Sequence, residues 1–206
     1  MFSGLVHEVT QILSFHNGVL SLKSTHKPKI GDSIAVNGAC LTVIALFKGG
    51  FSMQMSAHTQ EHIALENYQA SQSVHVEPAL RAGDRFDGHF VQGHIDGVGV
   101  VKSVLKRANQ VDIAIKAPPA ILELCIPKGS IAIDGVSLTL AGIDKDSFSL
   151  VIISHTFQNT LFNAYKPGRR VNIESDMLVR AIAHLSQQKR QNPLSWAVCD
   201  SLVMGY

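Results

Sequence analysis

Short runs in which apolar and polar side chains alternate recur along this 206-residue chain. In VDIAIKA (Val111 to Ala117) and VNIES (Val171 to Ser175) every second residue is apolar, as a strand with one buried face requires. Other stretches rich in Val, Ile, Leu and Phe are punctuated by turn residues at HNG, KGG, RAGD, KDS and KPGRR. Most of the chain is therefore expected to form short strands. The period changes after Ser175. Met177, Leu178, Ala181, Ile182 and Leu185 fall on one helical face, and Ser175 or Asp176 can cap its start. The pattern predicts an amphipathic helix whose apolar stripe either packs on its own chain or builds an oligomer. Residues 191–206, with PLSWAVCDSLVMGY, are apolar without a period.

The strand pattern occurs twice. SIAVNGACLT (Ser33 to Thr42) returns as SIAIDGVSLT (Ser130 to Thr139), and residues 33–80 match residues 130–177 at 14 of 48 positions, offset by 97. About three identities would be expected by chance, so the repeat is real, and its length is that of a small domain rather than a solenoid unit. Upstream, Gly4 and Val9 match Gly93 and Val98 at an offset of 89, so the second copy holds an eight-residue insertion before its SIA motif. Closing such strands into barrels removes exposed edges. The expectation is all-β: one barrel over residues 1–88, a similar one over 89–175, and a helix with a tail over 176–206.

Composition narrows the function. With 46% hydrophobic residues the chain can bury two modest cores. Eighteen basic and 16 acidic residues leave a formal charge of +2 without long runs, so neither a nucleic-acid stripe nor a polybasic membrane patch is expected. Cys40, Cys125 and Cys199 are odd in number and lack C-x-x-C spacing, which argues against a disulfide framework or structural zinc and fits a reducing cytoplasm. Met1 runs straight into FSGLV, and no window reaches the 18 apolar residues of a membrane span. A soluble, unprocessed protein is expected.

Positions where the two copies differ in reactive residues are candidates for divided chemistry. Cys40 stands opposite Ser137, each between a glycine and a threonine two residues on. Such a patch can hold a polar ligand through thiol, hydroxyl and backbone groups. A buried small hydrophobe and a satisfied strand serine explain the pair as well. In GHFVQGH, His89 and His94 are five apart; on a strand they would point to opposite faces, which excludes a shared metal and leaves at most one facing a pocket. His94, opposite Leu5, could move protons near neutral pH or be structural. His58-Thr59 recurs as His155-Thr156, and Glu77 as Glu174, consistent with two equivalent pockets or with strand-end hydrogen bonds.

MFSGLV, NGACLTV, GHFVQGHIDGVG and KGSIAIDGVSLTL, in this order within an internal duplication, resemble the riboflavin synthase alpha chain family from Met1 to about Leu185. The resemblance implies two six-stranded antiparallel Greek-key barrels and a C-terminal helix that assembles a homotrimer. It implies an enzyme needing neither metal nor redox cofactor. Two molecules of 6,7-dimethyl-8-ribityllumazine would dismutate by four-carbon transfer to riboflavin and 5-amino-6-(D-ribitylamino)uracil. Two identical substrates then need two related pockets, with donor and acceptor in unlike surroundings. The N-terminal barrel of one subunit would face the C-terminal barrel of the next.

Carried over by motif, Gly4, Leu5 and Val6 with Cys40, Leu41 and Thr42 should line the N-terminal pocket, completed by Gln54, Met55, Ser56, Ala57, His58 and Thr59. Gly93, His94 and Ile95 with Ser137, Leu138 and Thr139 should line the C-terminal one, completed by Val151, Ile152, Ile153, Ser154, His155 and Thr156. Lys128 would reach across from a neighbouring subunit. The family usually has glutamate where this chain has His58 and His155, and the first copy has Pro78-Ala79 where the second has Ser175-Asp176. Proton transfer would fall to His94, assisted by Ser137 and Thr139, and activation or positioning of the partner substrate to Cys40. The rival is a lumazine-carrying fluorescent protein of the same fold, which binds one ligand and catalyses nothing. A barrel that binds no small ligand would leave the paired motifs unexplained.

Overall fold

The computed structural model describes residues 1–191; the tail beyond, with Cys199, lies outside the described residues. The first copy folds as β1 (Glu8–His16), β2 (Val19–Lys23), β3 (Ser33–Val36), β4 (Ala39–Phe47), β5 (Gly50–Gln54), α1 (Ala57–His62) and β6 (Ser73–Pro78). The second repeats it as β7 (Gly97–Lys106), β8 (Gln110–Lys116), β9 (Ser130–Ile133), β10 (Val136–Ile143), β11 (Ser147–Ile153), α3 (Ser154–Asn159) and β12 (Arg170–Ser175). A short α2 (Pro119–Leu122) lies between β8 and β9 and takes up part of the insertion. α4 (Met177–Gln191) follows β12.

Each copy is a closed antiparallel barrel, in the order β1-β2-β5-β4-β3-β6 and its repeat β7-β8-β11-β10-β9-β12. The Asn37-Gly38 and Asp134-Gly135 dipeptides, with Asn37 and Asp134 at φ +42° and +44°, turn β3 into β4 and β9 into β10, the hairpin such dipeptides favour. Bulges at Ile12/Ser14 and Val43/Ala45 recur at Val101/Ser103 and Leu140/Gly142. A bulge bends and twists its strand, which a small closed barrel needs.

Alternation holds in β8, where Val111, Ile113 and Ile115 fill the second core. It fails in β12. Asn172, Glu174 and Ser175 are as buried as Val171 and Ile173: residues 92–96 ahead of β7 cover Glu174 and Ser175, and the other barrel covers Asn172. There the Asn172 side chain donates to the Asn37 carbonyl and accepts from the Ala64 N–H, both at 2.8 Å. The backbone N–H of Asn172 donates to Asp134, whose carboxylate also accepts from the Tyr165 hydroxyl. His75 of β6 accepts from the Leu161 N–H at Nε2, 2.8 Å, so its Nδ1–H donates to the Asp134 carbonyl, 2.9 Å. Burial holds the His75 pKa down at about 4. Phe2, Ala35, Val91 and Ala132 form a third, smaller apolar cluster beside this network.

Asp176 starts α4, its carboxylate accepting from the Leu178 N–H. The apolar stripe is not packed on a barrel: Leu178, Ile182 and Leu185 are 56%, 65% and 58% exposed. No helix among the described residues is long and apolar enough to cross a membrane.

Candidate functional site

Two segments that belong to neither barrel build the site. Phe2 and Val91 form an antiparallel bridge, with N–H to carbonyl distances of 2.7 and 3.2 Å, so residues 2–4 and 91–93 cross between the barrels. Each segment is held at its root by a buried glutamate of its own copy. Glu77 of β6 accepts from the Ser3 and Gly4 N–H groups, and Glu174 of β12 from the Gln92 and Gly93 N–H groups at 2.7 and 2.9 Å. The tip of each then pairs with the opposite barrel. The Cys40 N–H donates to the Gly93 carbonyl at 2.9 Å, and the Ser137 N–H to the Gly4 carbonyl at 2.8 Å. A Cβ on Gly93 would lie 2.5 Å from that of Cys40, and Gly93 has φ +80°, so glycine is required there. Val6 accordingly packs on the second barrel's core and Ile95 on the first's.

This exchange corrects the expected grouping. Cys40 shares a cleft of about 310 Å³ with Gly93, His94 and Ile95, together with His58, Thr59, His62 and Ile63. A second cleft, also about 310 Å³, is lined by Ser137, Leu138, Thr139, Val151, Ile152, Ile153 and Thr156, with Asp87, Gly88 and Ser130; Gly4 lies against Ser137. Larger hollows around His26 and Lys27 include neither Cys40 nor Ser137.

His94 therefore does not serve Ser137 within one chain. His89 does: its Nδ1 lies 2.7 Å from the Ser137 hydroxyl oxygen, and its buried Nε2 has no protein partner. Burial lowers the His89 pKa, opposed by the charge of Asp176. Residues 89–94 are not a strand, so the rule that only one histidine could face a pocket does not apply. His94 lines one cleft while His89 supports the other. On the Cys40 side, burial raises the thiol pKa, with the Ser33 hydroxyl pulling the other way. Burial also pushes Glu174 up to about 7, against the pull of the Gln92 and Gly93 N–H groups and Arg180.

Other expected residues have different places. Leu41 and Met55 are buried in the first core. Gln54 donates to the Gly18 carbonyl, and Ser56 caps α1 by accepting from the Thr59 N–H. His58 and His155 sit in the first turns of α1 and α3 and are exposed, as are Ala57 and Ser154, so strand-end bonding does not explain them. Leu5 and Val6 border a hollow with Glu77. Thr42 is exposed on β4 beyond the cleft lining. Lys128 is exposed and lines neither cleft of its own chain. Sequence reasoning missed the roles of His89 and His62. For Glu77 and Glu174 the structure shows strand-end hydrogen bonds, one of the two readings that their recurrence in both copies allowed.

The lumazine binding domain model matches residues 3–79 and 92–176, so the chain is a duplicated lumazine-binding-domain protein. It is 34% identical to riboflavin synthase of Bacillus subtilis (strain 168), covering 93% of each chain, and 35% identical to that of Actinobacillus pleuropneumoniae, covering 92% of this chain and 91% of the other. The riboflavin synthase of Photobacterium phosphoreum is 40% identical over 76% of this chain and 72% of its own. Among solved structures, LumP complexed with riboflavin superposes with a TM-score of 0.76 at 21% identity, covering 85% of this chain and 99% of LumP. LumP complexed with 6,7-dimethyl-8-(1'-D-ribityl) lumazine gives 0.74 at 20% identity over the same shares. The fold is common to both groups, whereas identity over the whole length distinguishes them. The chain belongs to the riboflavin synthase family of transferases.

Proposed function

We propose that the chain converts two molecules of 6,7-dimethyl-8-ribityllumazine into riboflavin and 5-amino-6-(D-ribitylamino)uracil, with no cofactor. The observation that carries this reading is the pair of clefts: one backbone frame built twice, with Cys40 and His94 in one and Ser137 and His89 at the other. Equal frames suit two copies of one substrate, and unlike reactive groups suit donor and acceptor. Holding two ring systems face to face removes the entropy of a bimolecular encounter, which can contribute about 7 to 11 kcal/mol.

The remaining task is proton transfer from one 7-methyl group and attack at ring carbon 7 of the other lumazine. His89, kept neutral by burial, accepts the Ser137 proton and so makes the hydroxyl the attacking or bonding group. Thr139 lies in the same cleft. Cys40 remains a thiol and positions the partner ring, with His94 beside it for the methyl proton. Productive sites form between chains of a cytoplasmic homotrimer. The uncovered α4 stripe supports such assembly, and Lys128, away from its own clefts, is available to a neighbour. The segments 1–88 and 89–175 are then the two lumazine-binding halves and 176–206 the assembly element.

Equilibrium titration with the lumazine tests the reading. Two ligands per chain are expected, with Ser137→Ala and Cys40→Ala each weakening a different one. One ligand per chain and no turnover would make the protein a carrier.

A further inference from the structure

The Cys40 cleft carries on its rim a group that the second cleft lacks. His58, Glu61 and His62 lie on α1, all exposed, with one potential ligand atom from each within 4.8 Å of the others. The His58 and His62 rings are 4.3 Å apart between centroids, and both residues line the cleft. Spacing of four along a helix puts two imidazoles on one face, an arrangement that chelates zinc.

The tautomer of His62 supports this. Its Nδ1 lies 2.8 Å from the carbonyl oxygen of His58, and since a carbonyl only accepts, Nδ1 carries the hydrogen. The Nε2 lone pair is left free for an ion. A bond from the other ring nitrogen to a backbone carbonyl is the usual way in which a metal-binding imidazole is oriented. In α3 the equivalent residues are Gln158 and Asn159, and the Asn159 amide donates to the His155 carbonyl at the same 2.8 Å. The helix bond is thus common to both copies, whereas the free imidazole nitrogen and the carboxylate occur in one.

We propose that His58, Glu61 and His62 bind a zinc-class divalent ion, and that an ion held there closes the Cys40 cleft to its ligand. Two imidazoles and a carboxylate select zinc or its neighbours rather than magnesium or calcium. Zinc–nitrogen bonds of about 2.0–2.1 Å place tetrahedral ligand atoms roughly 3.3 Å apart, so the three exposed side chains need only close by small rotations. The closing step rests on the reading that this cleft takes a lumazine.

Calorimetric titration of the full, tag-free chain with zinc chloride tests the site without reference to activity. One saturable ion per chain is expected. His62→Asn, which installs the residue of the second copy, should weaken binding at least about tenfold, since even outer-shell changes cost that much. Glu61→Gln should weaken it as well, while His155→Ala should leave it unchanged. Absence of saturable binding, or equal binding by His62→Asn, overturns the site. Zinc should also weaken riboflavin binding to the native chain but not to His62→Asn, and an equal effect on both overturns the closing step. Loss of riboflavin binding without zinc would instead count against the ligand reading and leave the calorimetric result standing.

Discussion

The Nδ1 atom of His89 lies 2.7 Å from the hydroxyl oxygen of Ser137, joining a segment ahead of the second barrel to the first residues of β10. This pair gives the second cleft a base and a hydroxyl. The first cleft has the Cys40 thiol in the place of Ser137 and is lined by His94, the counterpart of Leu5. The proposed division of labour between two equal frames rests on a few side chains.

Removing either member of that pair should lower turnover. Ser137→Ala and His89→Ala are each expected to cost about 10²–10⁴ in kcat, the range for a positioned acid–base group. Because burial lowers the His89 pKa, the acid limb of kcat should lie below the ordinary histidine value of about 6.5. The limb should vanish in His89→Ala. An unchanged profile in that variant would remove histidine from the proton path.

Gly93→Ala should be more damaging than its size suggests. The methyl group would stand 2.5 Å from the Cys40 Cβ and 2.8 Å from its backbone nitrogen, at φ +80°. Left-handed strain of about 1–2 kcal/mol and overpacking of about 1–3 kcal/mol are expected together. Denaturant unfolding should show a loss of that combined order, and Gly4→Ala should reproduce it against Ser137.

Glu174→Gln should loosen one cleft and spare the other. The carboxylate satisfies the Gln92 and Gly93 N–H groups, with Arg180 at 3.6 Å, and an amide leaves part of this set facing an N–H donor. A stability loss of about 1–3 kcal/mol is expected. Ligand affinity should fall at the Cys40 cleft, because Gly93 forms its wall, and stay unchanged at the Ser137 cleft.

His75 makes stability depend on pH with a definite sign. Its folded pKa is held at about 4 by burial, below the ordinary 6.5 or so, so the unfolded chain binds more protons between those values. Its contribution is complete above about pH 6.5 and is lost as pH falls toward 4, by about 3 kcal/mol in all. Asp134, pushed up to about 6 by burial, acts in the opposite direction from about pH 3.8 to 6. Nuclear magnetic resonance of the His75 ring, showing Nδ1 protonated and no titration at pH 6.5, checks the histidine part directly.

The duplicated barrels were legible because alternation and turn residues act locally: Val111, Ile113 and Ile115 report their own face, and Asn37-Gly38 its own turn. The inter-barrel face was not. Alternation in β12 puts Asn172 on the polar face, and nothing within the strand indicates that a second barrel covers it. The motifs containing Cys40, Ser137, Gly4 and Gly93 were also visible, but their partners were not. The motifs carried over from the resemblance grouped Gly4 with Cys40, whereas the Phe2–Val91 bridge carries each segment to the other copy. Such an exchange rests on contacts 53 and 133 residues apart along the chain, Cys40 to Gly93 and Gly4 to Ser137, which no local pattern reports. His89 was set aside on strand geometry that residues 89–94 do not have.

Assembly is checked by sedimentation. Ile182→Glu, on the exposed stripe of α4, should shift a trimer toward monomers and reduce turnover with it. Full activity in a monomer would place the working site within one chain.

The most direct measurement is incubation of the purified chain with 6,7-dimethyl-8-ribityllumazine, with chelator and no cofactor, while absorbance follows conversion to riboflavin. One riboflavin formed for every two lumazines consumed is the expected result. Saturable binding with no riboflavin formed would contradict the account.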